Sequence, residues 1–231
     1  MIKIAHLYHD LMNLYGESGN IKAIKTQLEA QGEDFQILNL TIGDDLNFDD
    51  YDFVYIGCGT DANQELVLKE LLKYRKQIEH IINKNIPFLA TGNAIELFGK
   101  HIIDINKQEI EALGTFDIVA TRQKTRIVKE TVVESKLITM PMIGFQNQSS
   151  TIQDSNFDSI NIKGFIGTHL LGPVLVRNPK LLEYVVRKII DRKFHDFKYK
   201  PFSLTLETKA NLEHFKNYHP NIYNTLVKNK D

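Results

Sequence analysis

Apolar positions along the chain follow two rhythms. Residues 2–8, 34–40, 51–56 and 88–91 are short, β-prone apolar blocks, and each reads as a buried strand. Between them the period lengthens to that of a helix. Ile21, Ile24 and Leu28 share one face of a helix that Gly32 ends. Val67, Leu71, Tyr74, Ile78 and Ile81 form one stripe of a long amphipathic helix. Pro87 opens the fourth strand, which turns sharply at Gly92-Asn93 into a short helix with Ile95, Leu97 and Phe98. This alternation predicts an α/β fold with a mostly parallel central sheet and helices on both faces.

Beyond Gly114 the rhythm changes. Residues 116–121, 125–134, 140–145 and 162–168 read as strands with few helices between them, which predicts a mixed or antiparallel C-terminal extension of the sheet. Pro179 opens an amphipathic helix with Leu182, Val185, Val186, Ile189 and Ile190, and a further helix begins near Thr208. The Asn/Lys-rich tail from about Lys216 is expected to fray. No linker rich in Pro, Gly or Ser interrupts the chain, so residues 1–231 are read as one domain. Ligands of open parallel sheets sit outside the carboxyl ends of the strands. Here those ends carry the loops 16–20 and 57–61 and the turn 91–93.

Composition narrows the chemistry. With 28 basic and 29 acidic residues the net charge is −1, which gives no bulk footprint for nucleic acid. The amino terminus has no signal-peptide h-region, and no apolar stretch approaches the ~20 residues that span a bilayer. The expectation is a cytoplasmic chain without membrane insertion. One cysteine among 231 residues excludes an internal disulfide framework and a Cys-based zinc ribbon, but leaves room for one catalytic thiol.

Several residues are candidates for chemistry. A sharp strand–turn–helix is a common mount for a nucleophile, because its apex is exposed beside helix-terminal N–H groups. Here the apex holds Gly92, which has no side chain to attack with, and a tight turn feeding a helix is the plainer reading. Cys58 lies in Gly57-Cys58-Gly59-Thr60-Asp61, where Gly57 and Gly59 let backbone N–H groups form an oxyanion or carboxylate nest. The plainer reading of Cys58 is a small residue in a cramped loop. His169, where a strand meets a loop, is a candidate base or a hydrogen-bonded structural histidine. His6 and His9 lack a third metal ligand, so no metal site is expected. Arg122, Lys124 and Arg126 form a basic cluster on a hairpin, either solvated or able to fork a carboxylate or phosphate.

Taken in order, these pieces resemble the class I (triad) glutamine amidotransferase domain of the cobyric-acid-synthase-like type. The likeness runs through Leu14-Tyr15-Gly16-Glu17-Ser18-Gly19-Asn20, Ile56-Gly57-Cys58-Gly59-Thr60-Asp61, the elbow at 88–100, Glu111-Ala112-Leu113-Gly114, Thr125-Arg126, Ile143-Gly144-Phe145-Gln146-Asn147 and 167–173. The resemblance implies a flavodoxin-like fold, no cofactor, and a Mur-ligase-like synthetase as partner. In the family an elbow cysteine attacks the glutamine amide, a histidine handles the protons, and backbone N–H groups hold the oxyanion. In this chain the nucleophile position falls on Gly92, the following glycine on Asn93, and the histidine on Leu171. Arg126 matches a family arginine that engages glutamine, and the resemblance makes Arg126, Gly57, Gly59 and Asn93 the expected ligand-binding residues.

Three functions are compatible with this sequence. The first is an amidotransferase-like subunit without glutaminase activity that scaffolds, regulates or senses a ligand, glutamine or a related small molecule, for a Mur-ligase-like synthetase. The second is an active glutaminase supplying ammonia for lipid II D-glutamate amidation through a relocated Cys58/His169 pair. His169 precedes Leu171 by two residues, about 7 Å along a strand, and shares its side if the strand continues. The third is a small-molecule binding module unrelated to glutamine.

Overall fold

The computed structural model describes residues 1–152 and 159–228. Its elements begin with β1 (Ile2–Leu7), α1 (Ser18–Gln31), β2 (Phe35–Leu40), β3 (Phe53–Ile56), α2 (Asp61–Leu71), α3 (Arg75–Asn83) and β4 (Phe88–Thr91). There follow β5 (His101–Ile103), β6 (Glu109–Glu111), β7 (Val119–Val133), β8 (Met142–Ile152), β9 (Ser159–Ile162) and β10 (Phe165–Thr168). The chain closes with α4 (Val174–Arg177), α5 (Pro179–Lys193), α6 (Thr205–Tyr218) and α7 (Pro220–Lys228).

The central sheet has the order β2-β1-β3-β4-β10-β9. Every pairing in it is parallel except β9 against β10. The order 2-1-3-4 followed by a fifth parallel strand is flavodoxin-like, with its switch point between β1 and β3. Strand alternation builds two cores. Val54 and Ile56 of β3 face a layer with Val67, Ile78, Ile81, Phe98 and Phe165, while Phe53 and Tyr55 face α1 and α5 through Ile24, Leu182, Val185 and Ile189.

The extension predicted beyond Gly114 is for the most part a second sheet, ordered β6-β5-β7-β8; only β9 adds an antiparallel strand to the central one. β5 and β6 are three residues each, too short to show a period. The expected strands at 116–121 and 125–134 are one strand, β7. Its ladder with β8 breaks between Arg122 and Ile127, where five steps on β7 oppose two on β8. Such a bulge bends the strand and re-aims its side chains. Here it carries Arg126 to the crevice described below.

The long amphipathic helix is divided by a 3₁₀ turn at Leu72–Tyr74. Val67, Leu71, Ile78 and Ile81 are still all buried. The second half is anchored by Arg75, whose guanidinium donates to Glu111 (2.6 Å) and to the Ala112 carbonyl (2.8 Å). Where fraying was expected, α6 runs through Lys216 to Tyr218 and α7 packs against it. The final residues 229–231 lie outside the described ones. No helix among the described residues is long and apolar enough to cross a membrane.

Candidate functional site

The carboxyl ends of β3 and β4 and the loop after β10 surround a crevice of about 230 Å³. Cys58, Gly59, Gly92, Asn93, Arg126 and Leu171 line it, together with Tyr15, Asp61, Asn147 and Ser149. The structure therefore brings together most of the residues singled out from sequence. Gly57 lies beneath, where a side chain would collide with the Met12 carbonyl and Glu17. His169 is not among the lining residues.

The turn after β4 is an elbow. Gly92 has φ +61°, a left-handed conformation that favours glycine, and a 3₁₀ helix (Gly92–Phe98) follows. A Cβ at this position would lie 2.5 Å from Cys58 Cβ, 2.7 Å from Cys58 Sγ and 2.6 Å from Leu171 Cδ2. The space into which an elbow side chain would project is filled by the thiol of the neighbouring loop and by Leu171. Leu171 is itself fixed by a backbone bridge, its N–H donating to the Phe145 carbonyl at 2.8 Å.

Asn93 locks the two loops together. Its side-chain oxygen accepts from the Gly59 N–H (3.1 Å) and its amide donates to the Gly59 carbonyl (3.0 Å). The Gly59 N–H is thus engaged within the protein rather than offered to the crevice. The Cys58 thiol donates to the Gly59 carbonyl (3.7 Å) and accepts from the Asn93 backbone N–H. Burial pushes the thiol up to about 12. The Asn93 N–H opposes this, Glu17 and Glu96 add to it, and Arg126 counters weakly. At neutral pH the sulfur is a protonated, poorly nucleophilic thiol. Iodoacetamide at pH 8 is therefore expected to leave Cys58 unmodified in the folded protein and to alkylate it once denatured, as read by intact mass. Native labelling at the rate of a free cysteine would contradict this geometry.

His169 belongs to a different set of contacts. The chain leaves β10 at Thr168, so the two-residue alternation that would put His169 and Leu171 on one side does not hold. Leu171 faces the crevice. His169 is buried behind the elbow with Nε2 3.4 Å from Glu96 Oε1. Glu96 itself accepts from Gln64 Nε2 (2.9 Å) and from Ser150 Oγ. Gln64 in turn accepts from Arg122, which donates to Glu65 at 2.5 Å. The basic cluster thus divides. Arg122 is engaged inside the protein, while Arg126 stands at the crevice rim, its Nε and one terminal nitrogen donating to the side chain and carbonyl of Asn147, both at 2.7 Å.

Two buried carboxylates beneath the crevice, Glu96 and Glu17, went unnoticed in the sequence. Glu96 sits inside the apolar run Ile95-Glu96-Leu97-Phe98, which is the one signal that could have exposed it. Glu17 gives no such signal among the glycines of its loop. It is fully buried, accepting from Tyr55 Oη (2.5 Å), Thr91 Oγ1 (2.6 Å) and the Gly172 N–H (2.9 Å). It thereby ties the loop after β1 to β3, β4 and the segment after β10. His6 is held down at about 4 by burial and by neighbouring His9, with Asn39 opposing. Among the described residues no group of three His, Cys, Asp or Glu side chains is placed to hold a metal ion.

Comparison with known proteins places the chain in a family. The GatD subunit of lipid II isoglutaminyl synthase (glutamine-hydrolyzing) from Staphylococcus aureus is 26% identical over 226 residues, 90% of this chain and 93% of that protein. The GatD subunit from Streptococcus pneumoniae is 24% identical over 213 residues, 84% of this chain and 82% of that protein. A crystal structure of a glutamine amidotransferase superposes with a TM-score of 0.47 at 10% identity, covering 80% of this chain and 98% of that one. Residues 3–172, well over half the chain, match the CobB/CobQ-like glutamine amidotransferase domain, and the chain belongs to that family.

Proposed function

We propose that this chain is an amidotransferase-like subunit without glutaminase activity, acting in the cytoplasm as a partner or regulatory subunit of a Mur-ligase-like amidating synthetase. One observation carries the reading. The elbow residue is Gly92, and the space above it is occupied by Cys58 and Leu171. Loss of a nucleophile or of its base alone lowers turnover by several orders of magnitude, and neither chemical group stands at its family position here. The partner role is supported by the GatD relatives, which are named as subunits of a lipid II isoglutaminyl synthase. A relocated Cys58/His169 pair finds little support. The thiol is protonated and buried, and His169 lies against Glu96 rather than in the crevice.

The test is reconstitution with the Mur-ligase-like synthetase encoded in the same genome. The two chains are expected to co-elute as one complex, and the synthetase to amidate its substrate with ammonium salts but not with glutamine. Absence of a complex would overturn the partner role. Amidation driven by glutamine as efficiently as by ammonium would overturn the loss of chemistry.

A further inference from the structure

We propose that a pocket between α4, α6 and β8 is a second binding site, for a small uncharged molecule with an apolar ring and one N–H or O–H donor, of the indole type. None of its lining residues is shared with the crevice at the elbow, and the inference does not depend on the function proposed there.

Helical spacing builds one side of the pocket. Glu207, Ala210, Asn211 and His214 recur at three- and four-residue steps, so they share one face of α6, with Leu206 at its edge. Ile143 of β8 and Val176 of α4 close the other side. The walls formed by Ile143, Val176, Leu206 and Ala210 are apolar. Ile143 is buried, whereas Leu206 is 77% exposed. The volume of about 390 Å³ falls within the range of small-molecule sites, roughly 300–1,000 Å³.

Two polar atoms decide what these walls can hold. Asn211 lines the pocket and is only 4% exposed. Its Nδ2 donates to the Arg177 carbonyl at 2.8 Å, which sets the orientation of the amide and leaves Oδ1 buried without a partner. A buried acceptor in this state is satisfied by a ligand that brings a donor. His214, three residues further on, presents a second unpartnered atom, Nε2. Burial holds His214 below the ordinary histidine value, with Arg177 and His219 adding to this and Glu130 opposing. The ring is therefore neutral at neutral pH, and its Nε2 accepts or donates according to tautomer. Burial penalises a charged ligand in the same way. Arg177 and Glu207, which also line the pocket, are of opposite sign, so the lining itself selects neither an anion nor a cation.

The chain has no tryptophan, so titrating the full chain into indole reads binding through the emission of indole itself. Indole is expected to bind about fivefold or more tightly than 1-methylindole, which keeps the ring but lacks the donor. Asn211→Leu is expected to abolish that difference. Leu206→Lys changes an exposed position, so the fold is expected to persist while both probes bind several-fold more weakly. No change in indole emission up to millimolar protein, equal affinity for the two probes, or unaltered binding in Leu206→Lys would overturn the proposal. So would exclusion of indole by a bound synthetase, which would make the pocket a seat for a side chain of that partner rather than for a free molecule.

Discussion

Replacing Gly92 by alanine is expected to destabilise the protein by roughly 2–5 kcal/mol, a left-handed backbone penalty joined to overpacking. The new methyl group would meet Cys58 and Leu171 at 2.5–2.7 Å, well inside van der Waals contact. Neither neighbour can withdraw easily. Cys58 is held by Gly59 and Asn93, and Leu171 by its backbone bridge to Phe145. Gly92→Cys should be at least as costly, so restoring the family nucleophile on its own is expected to damage the fold rather than revive chemistry. Adding Cys58→Gly should recover part of the loss, with a coupling of about 1–3 kcal/mol in a double-mutant cycle read by urea denaturation. Strict additivity would show that positions 58 and 92 do not compete for one space.

The second large effect is at Glu17. Its carboxylate joins Tyr55, Thr91 and the Gly172 N–H, and Asn20 extends the network through Tyr55 Oη (2.8 Å). Glu17→Ala strands buried donors from three elements and is expected to cost about 3 kcal/mol or more. Burial raises the Glu17 carboxyl above its ordinary range, with the Thr91, Tyr55 and Gly172 hydrogen bonds opposing. For an acid raised in this way the folded state holds its proton longer than the unfolded state. The associated stability is complete below the unfolded value of about 4.3. It is lost as pH rises through the folded value. Urea denaturation should therefore show the wild type losing more stability between pH 5 and pH 8 than Glu17→Gln, which keeps the shape but cannot ionise. Equal pH slopes in the two proteins would contradict a raised Glu17.

What was legible in the sequence was what local patterning encodes. The four central strands and the helix at Pro179 stood out because each is a compact apolar block, and Gly57, Pro87, Gly92 and Pro179 mark the ends of several of them. The second sheet was merged with the first because β5 and β6 are three residues long, and a bulge between Arg122 and Ile127 hides the continuity of β7. At the site, motif order led to Gly92, Leu171, Asn93 and Arg126, and the structure gathers all four in one crevice. The plug was not legible, because the approach of Cys58 to Gly92 is a tertiary contact across 34 positions. Glu17 and Glu96 were missed for a related reason. A carboxylate in a loop or a short helix reads as solvated until the elements that bury it are in place. A place for His169 beside Leu171 depended on the strand continuing, and the chain leaves β10 at Thr168.

The central proposal is that the frame of a glutaminase has been kept while its reacting groups are gone. It is tested most directly by measuring glutamate released from glutamine by the purified chain together with the proposed Mur-ligase-like synthetase. The account predicts a rate indistinguishable from that of the synthetase alone. Glutamate release on the order of 1 s⁻¹ or faster, the range of ordinary enzymes, would contradict it.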